Sequence, residues 1–177
     1  MRKDARLNYE RVLVAATACF AEHGAKVTMD EVAAHAGVGI GTLYRRFPSR
    51  AALVEALYDD AVEQVSAEAS ALAKHADAWE ALVRWCKAYV DLLVTKRTLL
   101  AELAPLLDRR PELVEAQRQR ARATFAAFLE RAQASGVARA GVDAADVVAL
   151  LNATMTAGRP SATMLAIVLA GIRADPS

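Results

Sequence analysis

The chain has 177 residues, 55% hydrophobic and 24% charged, enough for one sizeable core and a small satellite domain. A net charge of +1 excludes indiscriminate nucleic-acid binding through overall charge. The charge is nonetheless uneven: residues 1–50 hold eight Lys/Arg against five Asp/Glu, a local +3, and the remainder fourteen against sixteen, a local −2, so one end is suited to meet phosphate.

In chain order, almost every segment reads as helix, because Ala is abundant and Gly and Pro fall between periodic stretches. Asn8 to His23 predicts a first helix with Val12, Leu13, Ala16 and Phe20 on one face and Gly24 as its stop. Thr28-Met29-Asp30-Glu31 has the pattern of a capping box, with the Thr28 hydroxyl on a backbone N–H and Glu31 reaching back. It opens a short helix to about His35, closed by Gly37. A second short helix spans residues 39–47 and stops at Pro48. Ser49 caps a long one from about Arg50 into the seventies. Further helices are expected at about 78–95, 111–135, 143–157 and 161–173. Between Thr98 and Arg110, Pro105 interrupts Leu99, Leu100, Leu103, Leu106 and Leu107, which predicts a short helix and a bend. The fold class is all-α: a helix-turn-helix head, residues 1–50, fused without a linker to a helical body, residues 51–177.

Several function classes drop out. Cys19 and Cys86 sit among apolar helical residues and read as buried free thiols of a reducing cytoplasm. No metal-ligand set is indicated, and no cofactor motif is present. His23, His35 and His75 have no paired nucleophile or acidic dyad, so no enzyme is indicated. The charged start, Met1 to Arg6, leads into an amphipathic stretch and not an apolar signal core. No run approaches the ~18 apolar residues of a membrane span. A cytoplasmic protein is expected.

The two short helices joined at Gly37 have helix-turn-helix geometry. Val32, Ala33 and Ala36 would face Val38, Leu43 and the first helix. Ile40, Gly41, Thr42, Tyr44, Arg45 and Arg46 would be exposed, and such donors beside an aromatic suit a major groove. Gly37-x-Gly39-x-Gly41 is not a phosphate-cradling loop, because no strand precedes it. The run from Val32-Ala33-Ala34-His35-Ala36-Gly37 through Gly41-Thr42-Leu43-Tyr44 and Phe47-Pro48-Ser49-Arg50 resembles the DNA-binding domain of the TetR family of transcriptional repressors, strongly over residues 8–57. That resemblance implies phosphate contacts from Thr28, Thr42 and Arg50, and Tyr44 lying against the backbone. Base reading would fall on Ile40, Gly41, Arg45 and Arg46. Ile40 and Gly41 depart from members that are polar there, which leaves Arg45 to read guanine or to bind phosphate. The partners implied are a double-stranded DNA operator, a small organic ligand and a second copy of the chain. A helical scaffold, or a family member acting as an activator, is the alternative.

In the body, the last two helices are apolar nearly all round. Val148, Leu151, Met164, Val168, Leu169 and Ile172 are the expected homodimer contacts, in line with the symmetric four-helix bundle the resemblance implies. Trp85, Tyr89 and Leu92 share a helix face at i, i+4, i+7, opposite Thr124, Phe125 and Phe128. With Asn152 and Met155 they are the candidate pocket for a ligand with apolar area and a polar handle; the same stripe also suits ordinary core.

Overall fold

The computed structural model describes residues 2–109, 111–156 and 162–174. Nine α-helices follow one another among these residues: α1 (Arg2–His23), α2 (Met29–Ala36), α3 (Ile40–Arg46), α4 (Arg50–Leu72), α5 (Ala78–Thr98), α6 (Leu100–Asp108), α7 (Pro111–Ala134), α8 (Ala144–Thr156) and α9 (Ala162–Ile172). A single 3₁₀ turn, Gly24–Lys26, separates α1 from α2. The described residues hold no strand beyond an isolated bridge between Ala138 and Arg173. The expected all-α class is the observed one.

Among the described residues, side-chain caps start four helices and satisfy backbone donors that would otherwise lack partners. Thr28 does so for α2. The Ser49 hydroxyl accepts from the Ala52 N–H at 3.1 Å, the Asp77 carboxylate from Glu80 at 2.8 Å and the Asp143 carboxylate from Ala145 at 2.7 Å. α3 ends at Arg46 because Phe47 precedes Pro48 and is extended, with φ −125° and ψ 90°, as the residue before a proline prefers.

One expectation is corrected. α1 begins at Arg2 and not Asn8; the Arg, Lys and Ala residues ahead of Asn8 are good helix formers with no breaker among them. Pro105 lies inside α6, the short helix expected there. It removes one backbone bond at a cost of about 3 kcal/mol. Burial of Leu99 and Leu103, each contributing about 1.5–3 kcal/mol, offsets that cost.

The chain forms two compact units. One comprises Met1–Ala61 with Thr95–Arg109, the other Val62–Val94 with Arg110–Ser177, and α4 and α5 contribute residues to both. In the first unit α1 packs on α2 and α2 on α3. Val12, Leu13, Ala16 and Phe20 of α1 are buried, as are Val32, Ala33 and Ala36 of α2. The second unit is built on Trp85, Phe125, Leu82, Leu72 and Leu151, all essentially inaccessible. Its chain end is tied down by the Arg139 N–H donating to Ile172 O at 2.9 Å and the Ala174 N–H to Val137 O at 3.1 Å. Both cysteines are buried and free. Burial pushes the Cys86 thiol up to about 12, so it is a small apolar filler and not a reactive thiolate.

Candidate nucleic-acid interface

The turn between α2 and α3 is fixed at both ends of α2. At its start the Glu31 N–H donates to Thr28 Oγ1 at 3.2 Å, and the Thr28 N–H donates back to Glu31 Oε2 at 2.7 Å. The expected capping box is therefore present. These bonds hold the Glu31 carboxyl below its ordinary value, the backbone N–H of Thr28 contributing most. At the other end Gly37 adopts φ 64°, ψ 37°, the left-handed conformation open to glycine at low cost. The Val38 N–H then reaches Ala33 O at 3.0 Å and the Gly37 N–H reaches Ala34 O at 3.1 Å, the paired bonds of a Schellman ending. A third terminal carbonyl, Ala36 O, accepts from Arg11 Nη2 at 2.7 Å.

On α3 only Leu43 is buried. Ile40, Gly41, Thr42, Tyr44, Arg45 and Arg46 are all exposed, as the sequence predicts. Tyr44 is 46% exposed and Ile40 38%. A Cβ at Gly41 would meet nothing within 4 Å, so no packing inside the chain requires glycine there. The helix carries two arginines and no acid, which gives it a net positive field.

The cations are not loose. Arg45 Nη2 donates to Thr42 Oγ1 at 3.1 Å. The Arg46 guanidinium lies over the Tyr9 ring at 4.6 Å, and Tyr9 stacks on Phe47 at 5.6 Å, so α1 holds the end of α3. Arg50, the first residue of α4, is half-buried with its guanidinium over Phe20 at 4.8 Å. Each stack fixes a charge at little conformational freedom. Sequence reasoning missed Tyr9 and Arg11. Their partners lie more than twenty residues away, so no local spacing reports them.

In the second unit Trp85, Tyr89, Phe125 and Phe128 do come together. Trp85 stacks on Tyr89 at 5.2 Å and 9°, with Phe125 at 5.6 Å and Phe128 at 6.3 Å. All four are buried, and Leu92 and Thr124 are half-buried. Asn152 Nδ2 donates to the Tyr89 hydroxyl at 3.0 Å and to Val148 O at 2.7 Å, and burial raises the Tyr89 phenol above its ordinary value. Trp85 Nε1 is buried without a hydrogen-bond partner. The Met155 side chain lies outside the described residues.

The expected dimer residues divide. Met164, Val168 and Leu169 are half-buried, whereas Val148, Leu151 and Ile172 are enclosed in the core of one chain. Among the described side chains, the large apolar ones left outward on α8 and α9 are Leu150, 56% exposed, and Ile167, 67%. Among the described residues no three His, Cys, Asp or Glu side chains are grouped to hold a metal, and no helix is long and apolar enough to cross a membrane.

Comparison with known proteins agrees with this geometry. Residues 12–57 match a family model described as bacterial regulatory proteins, tetR family, and residues 77–174 match the C-terminal domain of SbtR-like transcriptional regulators. A TetR transcription regulatory protein of Mycobacterium vanbaalenii is 34% identical, covering 97% of this chain and 98% of its own at a TM-score of 0.73. A TetR transcriptional regulator of Streptomyces coelicolor is 29% identical, covering 94% and 99% at a TM-score of 0.77. The fold is shared with the TetR-like regulator LfrR of Mycobacterium smegmatis, solved in complex with proflavine, at 23% identity, 94% and 97% coverage and a TM-score of 0.65. No curated protein matches the chain.

Proposed function

The chain belongs to the tetR family of bacterial transcriptional regulators, and from that premise we propose that it is a homodimeric cytoplasmic repressor whose two heads hold a palindromic operator until a small organic ligand enters the body. Proteins of this family are DNA-binding regulators and not enzymes. Residues 1–50 take the DNA, and residues 51–177 take the ligand and the second chain.

The observation that carries the reading is α3 itself. It has one buried residue and six exposed ones, bears +2 with no acid, and is braced by the bonds at both ends of α2. A helix so short has no stable existence alone, and its exposed face of donors serves no packing need. Thr28, Thr42 and Arg50 are assigned to phosphates and Tyr44 to the backbone, contacts that set register without reading sequence. Arg45 is the base reader, with Ile40 and Gly41 allowing close approach to the groove floor. Arg46, drawn toward Tyr9, contributes at the margin.

Ligand release draws support from the proflavine-bound LfrR and from Trp85 Nε1, a buried donor without a partner that an acceptor on a ligand would satisfy. Tyr89 and Asn152 supply a polar handle beside it, and Leu92, Phe125 and Phe128 supply apolar area, with Thr124 next to Phe125 in sequence. A ligand that favours one arrangement of the body shifts the population toward it, and α4 runs unbroken from Arg50 to Leu72.

Footprinting on genomic fragments at modest ionic strength tests the proposal. A protected inverted repeat is expected. Arg45→Ala should relax base choice at one position of each half-site at a cost of about 1–3 kcal/mol. A uniform loss across all sequences would place Arg45 on phosphate, and absence of any protected repeat would overturn the reading.

A further inference from the structure

We propose that the crevice between α1 and α3 is a binding site for a small amphipathic carboxylate, and that a molecule seated there competes with duplex DNA for Arg45 and Arg46. The competition rests on the DNA-binding reading above; the binding does not. A cavity of about 350 Å³ opens inside the first unit, at the small end of the volumes that hold organic ligands. Its floor is Val12, Leu43 and Phe47, each less than 5% exposed, with Val38 beside them. Asn8, Thr42, Arg45 and Arg46 form the polar part of the wall, and among the described side chains no acidic one lines it.

Two guanidiniums over an apolar floor, with no acid among the described side chains of the walls, select for one kind of occupant. A bare inorganic anion would use the cations and leave the floor wet. A neutral apolar molecule would cover the floor and forgo the cations. A carboxylate with a short apolar tail uses both, and Arg pairs with carboxylate through parallel N–H donors. Those donors remain. Arg45 gives Nη2 to Thr42 out of five N–H groups, and the stack of Arg46 on Tyr9 consumes none. Thr42 and Arg45 are also residues assigned to DNA, so an occupant and a duplex cannot share them.

The test uses decanoate below its micellar range and the ¹⁵N-labelled full chain without DNA. Saturable amide shifts are expected at Val12, Val38 and Leu43. Arg45→Gln and Arg46→Gln should each weaken binding by roughly tenfold, the low end for a lost charge-assisted bond, and decanol should bind more weakly than decanoate. Shifts confined to residues 62–94 and 111–174, no saturable shift, or equal affinity for decanol would each overturn the site. Val12→Phe fills the floor; should that variant fail to fold, Val38→Phe narrows the same crevice from its side. Saturating decanoate should weaken binding of a random duplex at low salt by wild type and not by the filled variant. Equal weakening in both would overturn the competition. A wild-type chain that binds no duplex even without decanoate would instead defeat the DNA reading and leave the titration standing.

Discussion

Gly37 and Arg11 are coupled through a single contact, and the coupling is measurable. At φ 64° an L side chain costs about 1–2 kcal/mol, and a Cβ built there falls 2.8 Å from Arg11 Nη2. The guanidinium is the far end of a flexible side chain and can withdraw, at the expense of its 2.7 Å bond to Ala36 O. Gly37→Ala therefore loses a backbone preference and part of a hydrogen bond. Arg11→Ala loses only the bond, about 1 kcal/mol for a partly solvated pair. In urea unfolding the Gly37→Ala penalty should be smaller when Arg11 is already alanine, by about 0.5 kcal/mol or more. Equal penalties in the two backgrounds would mean that backbone strain is the whole effect. Gly37 is legible in the sequence as a stop between two periodic runs. Arg11 is not, because a cation one residue before a buried Val12 looks like any solvated helix position until α2 is folded against it.

At the scale of the helix, the cap of α2 makes its own acid dependence. The Glu31 carboxyl lies below its ordinary value of 4.5, chiefly through the Thr28 backbone N–H and then the Thr28 hydroxyl. A lowered value in the folded state means that the contribution is complete above 4.5 and is lost as pH falls through the folded value, since the unfolded state takes up the proton first. Urea midpoints measured from neutral pH into acid should thus fall less steeply in Glu31→Gln than in the parent chain over that window. Parallel curves would show that Glu31 does not report on folding. Thr28→Ala removes the N-cap acceptor and should cost about 1 kcal/mol at neutral pH. The spacing Thr28-x-x-Glu31 is enough to reveal this cap, since both groups lie within one turn. The same local reading fails at Arg2–Leu7, where no cap announces a start.

For the whole molecule, the face that α8 and α9 leave open decides whether two chains act as one. On α9 the exposed residues are Ala162, Thr163, Ala166, Ile167, Ala170 and Gly171, one stripe at helical spacing with no charge in it. Small residues flanking Ile167 permit close approach by another helix, and Ala149, Leu150 and Ala153 are exposed on α8. α9 is apolar all round, so periodicity distinguishes no inside from outside. Hydrophobicity alone points to Val148, Leu151 and Ile172, which the chain's own core already claims. Likewise, the i, i+4, i+7 spacing of Trp85, Tyr89 and Leu92 fixes a shared face and leaves open how far their rings fill it. Ile167→Glu places a charge at the centre of the open stripe without touching that core. It should give a folded, helical monomer by sizing with light scattering. Leu150→Glu tests α8 the same way. Loss of pairing turns the second half-site contact from an intramolecular event into an independent one, so operator affinity should drop by about 10²-fold or more, with helical content unchanged. An Ile167→Glu chain that stays dimeric would move the two-fold axis away from α9, and one that is monomeric yet keeps full operator affinity would show that a single head suffices.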